Sequence, residues 1–439
     1  MAQFRTTADI MDLALTNGGE VTSGTSPYET QLLNYLNRVH FTLVAGGTIP
    51  VGKDSTVEID EVWPWSRASR PIIVELQPKY NTGTVTLTLG SESGTFSSAP
   101  SESLSGYHIR AIGKEEVYKI VSHTAATTAF ELDSAYADTG GSGLSYEAFK
   151  IDYELVPSYL VIDAGNINLQ FQKVAGVTLT ATLTAGTYTP SQLATHVAAA
   201  MTTAAGGPTI TGAYSAVTRK FTLTSDLAGA TAFYIVGNGT QSGFSAHRLL
   251  GYDDDTSAAS AASHTSTYVL GGMCRLVEPV RIHKGSGGHL SLIDSETLTR
   301  DYPLAGTTEG QPSCFSIIEE RSDGTFVARF NGFPTEKTRI EVEYVPIPRD
   351  LKDNSSSIPL IPRKHVDVLE DAATFYLMLN KNDDRSPIYA QLMQGKLKAM
   401  ISQNRGALLR GGDNFGQLIP RRDKLNTRRR KLIFGYEAD

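Results

Sequence analysis

The feature that most constrains this chain is a pair of consecutive helices predicted in residues 357–400. Apolar residues recur every three or four positions in both halves of the stretch, at Val366, Leu369, Ala373 and Tyr376 and again at Tyr389, Met393, Leu397 and Met400. This spacing places each set on one face of a helix. Residues 380–385 between them are polar, and Ser386-Pro387 offers an N-cap and a first-turn proline. The stretch therefore predicts a helical hairpin.

A second helical region opens the chain. Residues 7–15 read as a short helix that is stopped at Asn17-Gly18-Gly19. Ser26-Pro27-Tyr28-Glu29 then has the pattern of a capping box, with proline at the first helical position. The apolar face of the helix that follows comprises Tyr28, Leu32, Tyr35, Leu36, Val39 and Leu43. Since helices both open and close the chain, the simplest packing joins them in one bundle.

Between the two helical regions the apolar period changes. Residues 83–89 alternate cleanly, and turn signals recur every eight to twelve residues, as in a small sandwich or barrel. Residues 160–272 differ again, because they are rich in Ala, Thr and Gly and poor in charge. Their pattern predicts a compact β-β-α-β-β unit inserted into the strand-rich region, which resumes at Cys274. The helix of this unit is predicted to start with a cap at Thr189-Pro190-Ser191.

The predicted fold class is α+β: a helical bundle of N- and C-terminal helices, a large inserted β-sandwich or barrel-like region, and an additional small α+β insertion domain. The changes of period set the predicted boundaries. They are 1–46 for the N-terminal helices, 47–159 and 273–350 for the two parts of the β-rich domain, 160–272 for the insertion domain, 351–405 for the C-terminal hairpin, and 406–439 for a basic tail.

The charge of the chain is unevenly distributed. From Asn404 onward there are nine basic and four acidic residues, a net +5, so the remaining residues carry −12 because the whole chain carries −7. The basic run at 420–431 is followed at once by apolar residues, which are unusual in a free tail. An acidic body with a basic tail of this kind predicts docking of the tail on an acidic, grooved partner.

Two sets of residues are assigned to interactions. The predicted docking residues are Arg421, Arg422, Lys424, Arg428, Arg429, Arg430, Lys431, Leu432, Ile433, Phe434 and Tyr436. The residues predicted to pack the bundle, or copies of it in a ring, are Leu32, Leu36, Leu369, Tyr376, Met393 and Leu397. Both assignments concern assembly rather than chemistry.

No catalytic, cofactor or metal site is predicted. Residues 47–54 approach a phosphate-binding P-loop, but Asp54 stands where Ser or Thr would hold Mg²⁺. The acidic run at 253–255 lacks the alternate spacing and downstream Glu of a calcium loop. The histidines show no HxH or HExxH spacing, and there is no GxSxG motif. We therefore expect that the protein is not an enzyme.

Trp63 and Trp65 flank a proline and are expected at a corner of the core rather than in a sugar- or base-binding site. Cys274 and Cys314 are expected to be reduced core thiols. No window of eighteen apolar residues predicts a membrane helix, and no apolar leader opens the chain. We therefore expect neither a membrane protein nor secretion through a signal peptide.

Several stretches together resemble the head-to-tail adaptor proteins (neck or tail-tubular proteins) of tailed bacteriophages. They are FRTTADI (4–10), GTSPYETQ (24–31), EIDEVWPW (58–65), GTFSSAP (94–100), DYPL (301–304), RIEVEYVPIP (339–348), IPLIPR (358–363) and LNKND (379–383). The resemblance covers roughly residues 1–158 and 273–405. It rests on short sequence patterns that are common across the family, and none of them is a catalytic signature. Residues 160–272 are similar to small domains of several phage tail proteins and depart from the simplest adaptors.

The resemblance implies a structural role in the virion neck, after assembly in the host cytoplasm. Such adaptors form a homo-oligomeric ring, usually twelve-fold, beneath the portal protein of the filled capsid. Their helical bundle packs against its neighbours, the C-terminal tail climbs onto the portal, and the β-rich part faces a downstream tail or nozzle protein. DNA passes through the lumen without sequence-specific binding. An acidic body agrees with this role, because it would repel the DNA phosphates.

A second hypothesis is a phage tail component that binds a receptor or glycan through residues 160–272. Glycan binding by that segment would favour it over the adaptor. A tail-borne hydrolase ranks third, because no paired-carboxylate motif is present.

Overall fold

The computed structural model describes residues 6–20, 27–51, 55–68, 70–172, 177–207, 209–226, 233–237, 245–253, 262–282, 288–302, 309–353, 357 and 359–410. For residues 278, 279 and 405–410 it describes the backbone alone. The chain forms two compact units, residues 1–67 with 348–439 and residues 68–347. Helices and mostly antiparallel sheets occupy separate segments, so the fold is α+β.

The first unit contains helices and one β-hairpin. In chain-order labels its elements are α1 (Thr7–Asn17), α2 (Glu29–Ala45), β1 (Gly47–Pro50), β2 (Thr56–Ile59), α5 (Asp367–Asn380) and α6 (Ser386–Arg410), with a 3₁₀ turn at Arg363–His365. The helices and the hairpin share one buried apolar cluster. Trp63 belongs to it and donates its indole N–H to the Leu43 carbonyl (2.6 Å), while Trp65 stacks on Trp63. The core position expected for Trp63 is confirmed.

Helix α5 lies at the centre of the first unit. It packs against α1, α2 and α6, whereas α6 packs mainly against α5. All eight residues from 368 to 375 are buried, so neighbours cover α5 on every side. The predicted hairpin of two helices is confirmed, because α5 and α6 are separated only by residues 381–385.

The predicted start of α2 is wrong. The helix begins at Glu29, and Tyr28 occupies the N-cap without a side-chain capping bond. Pro27 lies in the preceding turn, and Ser26 lies outside the described residues. The first helical hydrogen bond runs from Leu32 N–H to the Tyr28 carbonyl (2.8 Å), so the capping-box pattern alone misplaced the start by two residues.

Hydrogen bonds join the N-terminal and C-terminal segments of the first unit. Asn37 pairs with the backbone of Leu351 in both directions, donating to its carbonyl (3.0 Å) and accepting from its N–H (2.5 Å). Lys381 donates to the Gly18 carbonyl (2.7 Å) and to Glu20 (2.6 Å). A cation at this place satisfies the free carbonyl end of α1.

In the second unit, residues 85–149 form one seven-stranded antiparallel sheet. Its strands are β4 (Val85–Leu87), β5 (Ser93–Phe96), β6 (His108–Ala111), β7 (Tyr118–His123), β8 (Ala129–Leu132), β9 (Gly141–Leu144) and β10 (Tyr146–Phe149), in the order β10-β6-β7-β8-β5-β4-β9. Only Ser145 separates the edge strands β9 and β10. The two edges of the sheet are therefore adjacent, which gives it a barrel-like form around a core that includes Phe96, Phe130 and Tyr146.

A second seven-stranded sheet combines segments from both sides of the insertion. Its strands are β3 (Ile72–Leu76), β11 (Asp152–Glu154), β20 (Met273–Ile282), β21 (His289–Leu292), β22 (Cys314–Glu320), β23 (Phe326–Phe330) and β24 (Thr338–Pro346), in the order β11-β23-β22-β21-β20-β24-β3. Helix α4 (Ser295–Asp301) lies in the crossover between the parallel strands β21 and β22. Ser158 N–H donates to the Ile73 carbonyl (2.8 Å), which brings the chain after β11 beside β3. Cys274 and Cys314 are free thiols, as predicted.

The insertion has its own apolar core around Phe171, Val197 and Phe221. Its elements are β12 (Leu160–Ile162), β13 (Asn168–Gln172), β14 (Thr178–Thr182), β15 (Gly186–Tyr188), α3 (Pro190–Ala205), β16 (Ile210–Ser215), β17 (Lys220–Ser225), β18 (Tyr234–Val236) and β19 (Ser263–Thr265). The capped start predicted for α3 is confirmed, because Thr189 and Gln192 form a capping box with proline at the first position. Arg219, which is buried, forms an ion pair with Asp323 and ties the insertion to the second sheet.

Two predicted boundaries differ from the structure. The first unit extends to residue 67 rather than 46, because Ile49 and Val57 of the β1–β2 hairpin are buried in the helical core. Within the strand-rich region, residues 85–149 form a sheet of their own, while β3 and β11 pair with strands that follow the insertion. Helix α6 also runs past residue 405, to Arg410.

Candidate interaction surfaces

The buried side of α6 holds the helix on the rest of the first unit. Ala390, Met393, Leu397 and Met400 are buried in the shared apolar cluster. Their spacing of three and four residues places them on one face. This face is the one predicted from the sequence.

The opposite side of α6 is also apolar, and it is exposed. Ile388 is 57% exposed and Leu392 is 47% exposed. The same line continues through Gly395, where a Cβ atom would meet nothing within 4 Å, to the exposed Ala399. The intervals of four, three and four residues are those of a seam that packs against another helix. We call Ile388, Leu392, Gly395 and Ala399 the outer stripe.

Polar contacts fix the rotation of α6 about its axis. Lys396 Nζ lies 2.7 Å from a carboxylate oxygen of Asp371 on α5 and 3.5 Å from the Asp367 carbonyl. Burial raises the pKa of Asp371, and Lys396 opposes that shift. Nearer the end of the helix, Asn404 donates to Glu61 Oε2 (3.0 Å). These contacts keep the outer stripe directed away from α5.

The turn before α6 is held by a local ion pair. The Asp383 carboxylate accepts hydrogen bonds from the Arg385 backbone N–H (2.9 Å) and from its guanidinium (2.8 Å). These bonds lower the pKa of Asp383 to about 2. Leu379, in the last turn of α5 before this junction, is 46% exposed. The junction therefore adds an apolar side chain to the exposed surface of the unit.

The six residues predicted to pack the bundle or ring lie inside the first unit. Leu32, Leu36, Leu369, Met393 and Leu397 are buried in its apolar cluster. Tyr376 is partly buried and stacks on Tyr35, with ring centroids 4.1 Å apart. Their contacts are therefore made within this chain. A surface between copies has to use other residues, and the outer stripe is available.

The predicted docking tail lies outside the described residues. This applies to all eleven of its assigned residues, Arg421, Arg422, Lys424, Arg428, Arg429, Arg430, Lys431, Leu432, Ile433, Phe434 and Tyr436. In the sequence the tail follows α6 directly. Tail docking stays a prediction.

A separate surface feature lies on the insertion, in the groove between β15 and the first turns of α3. A shallow cleft of about 490 Å³ is lined by Thr187, Tyr188, Gln192, Thr195 and His196. The rings of Tyr188 and His196 are stacked, with centroids 4.8 Å apart. Both are fixed by one residue, because Tyr188 donates to the Thr184 carbonyl (3.0 Å) and His196 Nε2 accepts from the Thr184 N–H (2.9 Å).

Within the described ranges, no group of three or more His, Cys, Asp or Glu side chains is arranged to hold a metal ion. None of the helices in those ranges is long and apolar enough to cross a membrane. No protein-family model and no curated protein matches the chain. Its function therefore has to be inferred from the surfaces that its residues form.

Sequence reasoning missed the outer stripe and the cleft. The signal for the stripe was present, since Ile388, Leu392 and Ala399 keep a helical spacing of their own beside the buried set. The cleft has no such signal, because Tyr188 and His196 belong to a strand and a helix whose packing sets their distance.

Proposed function

We propose that the protein is a virion structural protein, a head-to-tail adaptor that forms a homo-oligomeric ring on the capsid portal. The ring joins the portal to the tail and leaves a channel for DNA. The observation that carries this proposal is the outer stripe of α6, a fixed and exposed apolar seam on the helix that leads into the basic tail. In this proposal the protein acts by assembling with its partners, without enzyme activity or a cofactor.

The outer stripe supports contact with a second copy. Helix α6 packs mainly on α5, so the bundle predicted from the N- and C-terminal helices has an open side within one chain. A helix from a neighbouring copy would cover Ile388 and Leu392 and complete the bundle. Burying an Ile or Leu side chain fully contributes roughly 1.5–3 kcal/mol, and repetition around a ring multiplies that gain. A twelve-fold ring is the number that the family resemblance suggests.

The charge distribution supports the other two contacts. The segment from Asn404 onward, which includes the last residues of α6, carries a net +5, which suits an acidic groove on the portal protein. The rest of the chain carries −12 and would let DNA pass through the lumen without gripping its phosphates. In this proposal the strand-rich second unit contacts the downstream tail or nozzle protein. The protein is then located in the virion neck.

The test compares the full chain with a truncation that ends at Arg410, which keeps the whole of α6. Light scattering after size exclusion and negative-stain microscopy measure ring formation, and a pull-down measures binding to the portal protein. We expect rings from the full chain and loss of portal binding in the truncation, with its circular dichroism unchanged. Full portal binding by the truncated chain would contradict tail docking. Monomers of the full chain, both alone and with portal, would contradict the adaptor.

A further inference from the structure

The insertion is rich in threonine and poor in charged residues. Residues 160–272 contain nineteen threonines but only nine charged residues, so hydroxyl groups outnumber charged groups in this segment. Exposed hydroxyl and amide groups pair across its strands, as in Gln172 with Thr178 (3.1 Å) and Thr222 with Thr265 (3.0 Å). A surface of this composition suits partners that are themselves polar and uncharged.

The cleft beside α3 has the same chemistry in concave form. Among the described residues, neither a carboxylate, an ammonium nor a guanidinium group lines it. Its polar groups are the hydroxyls of Thr187, Tyr188 and Thr195, the amide of Gln192 and the imidazole of His196. With a volume of about 490 Å³ and a wide opening to solvent, the cleft can hold part of a ligand rather than enclose one.

The lining is already positioned for a ligand. Tyr188 is held between His196, which stacks on it, and Gly186, where a Cβ atom would lie 3.3 Å from the ring. Gln192 Oε1 accepts the Thr189 N–H (3.0 Å) as part of the α3 capping box, which fixes the side chain. Within the described part of the chain, the Gln192 Nε2 donor and the Thr187 hydroxyl have no hydrogen-bond partner. These groups are therefore available to a bound molecule.

The chemistry narrows the class of ligand. A cation would need a carboxylate, and an anionic sugar such as a sialylated one would be matched by Arg or Lys. An apolar ligand would need more than two rings in the lining. Hydroxyl and amide groups beside the edges of two packed aromatic rings suit the hydroxyl-bearing rim of a sugar ring. The cleft is open to solvent, so one unit of a longer chain can lie in it.

We infer that this cleft binds a neutral saccharide unit of a glycan. The inference does not depend on the adaptor function, because the site lies wholly within the insertion.

The test uses the full chain on a glycan array that carries neutral, sialylated and sulfated glycans, followed by titration calorimetry with the best neutral oligosaccharide. We expect binding to a subset of neutral glycans only. Thr195→Val and Gln192→Glu should each weaken that binding at least tenfold. Gln192→Glu keeps an acceptor for the Thr189 N–H, so α3 stays capped.

Thr203→Val is the matched control. Thr195 and Thr203 are both exposed on α3, and each donates its hydroxyl to the carbonyl four residues earlier, but Thr203 lies outside the cleft. The control should bind as the unmodified protein does. Absence of neutral-glycan binding, a preference for the charged glycans, or equal affinity in all three variants would overturn the inference.

Discussion

Helices α5 and α6 are consecutive and have similar apolar periodicity, yet their surroundings differ. Every residue of α5 from 368 to 375 is buried, including the charged Glu370 and Asp371. Helix α6 buries only one side and leaves Ile388 and Leu392 exposed on the other. The apolar surface of α5 is thus covered within one chain, whereas that of α6 is covered on one side only. The buried faces of the two helices stabilise the folded chain, and the exposed face of α6 is available for contact with another copy.

The largest effect is expected on the ring. Ile388→Glu combined with Leu392→Glu places two charges on the outer stripe, and burying them against a neighbouring copy would cost several kcal/mol. We expect light scattering to detect monomers only. The unfolding midpoint should match that of the unmodified protein when both are diluted to monomers, because both side chains are exposed in one chain.

The control for that variant is Thr30→Glu combined with Asn34→Glu. These residues are exposed on α2 at the same spacing of four, so the added charge and geometry are matched. The control should keep the ring. If both double variants formed intact rings, the outer stripe would not be a contact between copies.

A smaller effect is expected on the free energy of unfolding when buried and exposed side chains of the two helices are truncated. Leu369→Ala on α5 removes a side chain with no exposure and should lower the unfolding free energy by about 2–5 kcal/mol. Leu392→Ala on α6 should change it by less than about 0.5 kcal/mol in dilute, monomeric protein. Urea unfolding followed by circular dichroism measures both. Equal losses would mean that the two helices do not differ in the way that their burial indicates.

Sequence periodicity predicted the local elements well. It placed Leu369 and Met393 on core-facing helix faces, and it placed the α3 cap at Thr189, because these signals depend only on near neighbours along the chain. Strands β5 and β9 were missed, since SGTF and GSGL lack the apolar alternation that marks a strand. The order of the strands in this sheet depends on pairs that are distant in sequence, such as β4 with β9 and β5 with β8, which no local pattern records.

The candidate sites were harder to predict for a related reason. An apolar helix face reads the same in sequence whether the neighbour that covers it belongs to this chain, belongs to another copy or is absent. Ile388 and Leu392 are therefore as apolar as Met393 and Leu397, and only the packing of α6 on α5 distinguishes them. The docking role of residues 421–436 stays a prediction, because those residues lie outside the described part of the chain.

Lowering the pH should affect the core of the first unit and the outer stripe differently. The core contains a buried histidine that titrates, whereas the outer stripe contains no titratable group. His40 on α2 is buried, and its Nε2 accepts the Leu360 N–H (3.2 Å). Burial lowers the pKa of His40 to about 4, against about 6.5 for an unfolded histidine. Between pH 6.5 and pH 4 the unfolded chain therefore binds more protons at this histidine than the folded chain does. The contribution of neutral His40 to the free energy of unfolding is complete above pH 6.5 and is lost as the pH falls toward 4.

From this pKa difference we expect the unfolding free energy to fall by roughly 3 kcal/mol between pH 6.5 and 4 on account of His40. His40→Gln keeps an acceptor for the Leu360 N–H but cannot titrate, so this part of the pH dependence should disappear in that variant. Urea unfolding at a series of pH values measures it. Rings should persist until the first unit unfolds, because Ile388 and Leu392 carry no proton to gain. Dissociation of folded rings in this pH range, in both the unmodified protein and His40→Gln, would show that titrating groups outside the stripe hold the copies together.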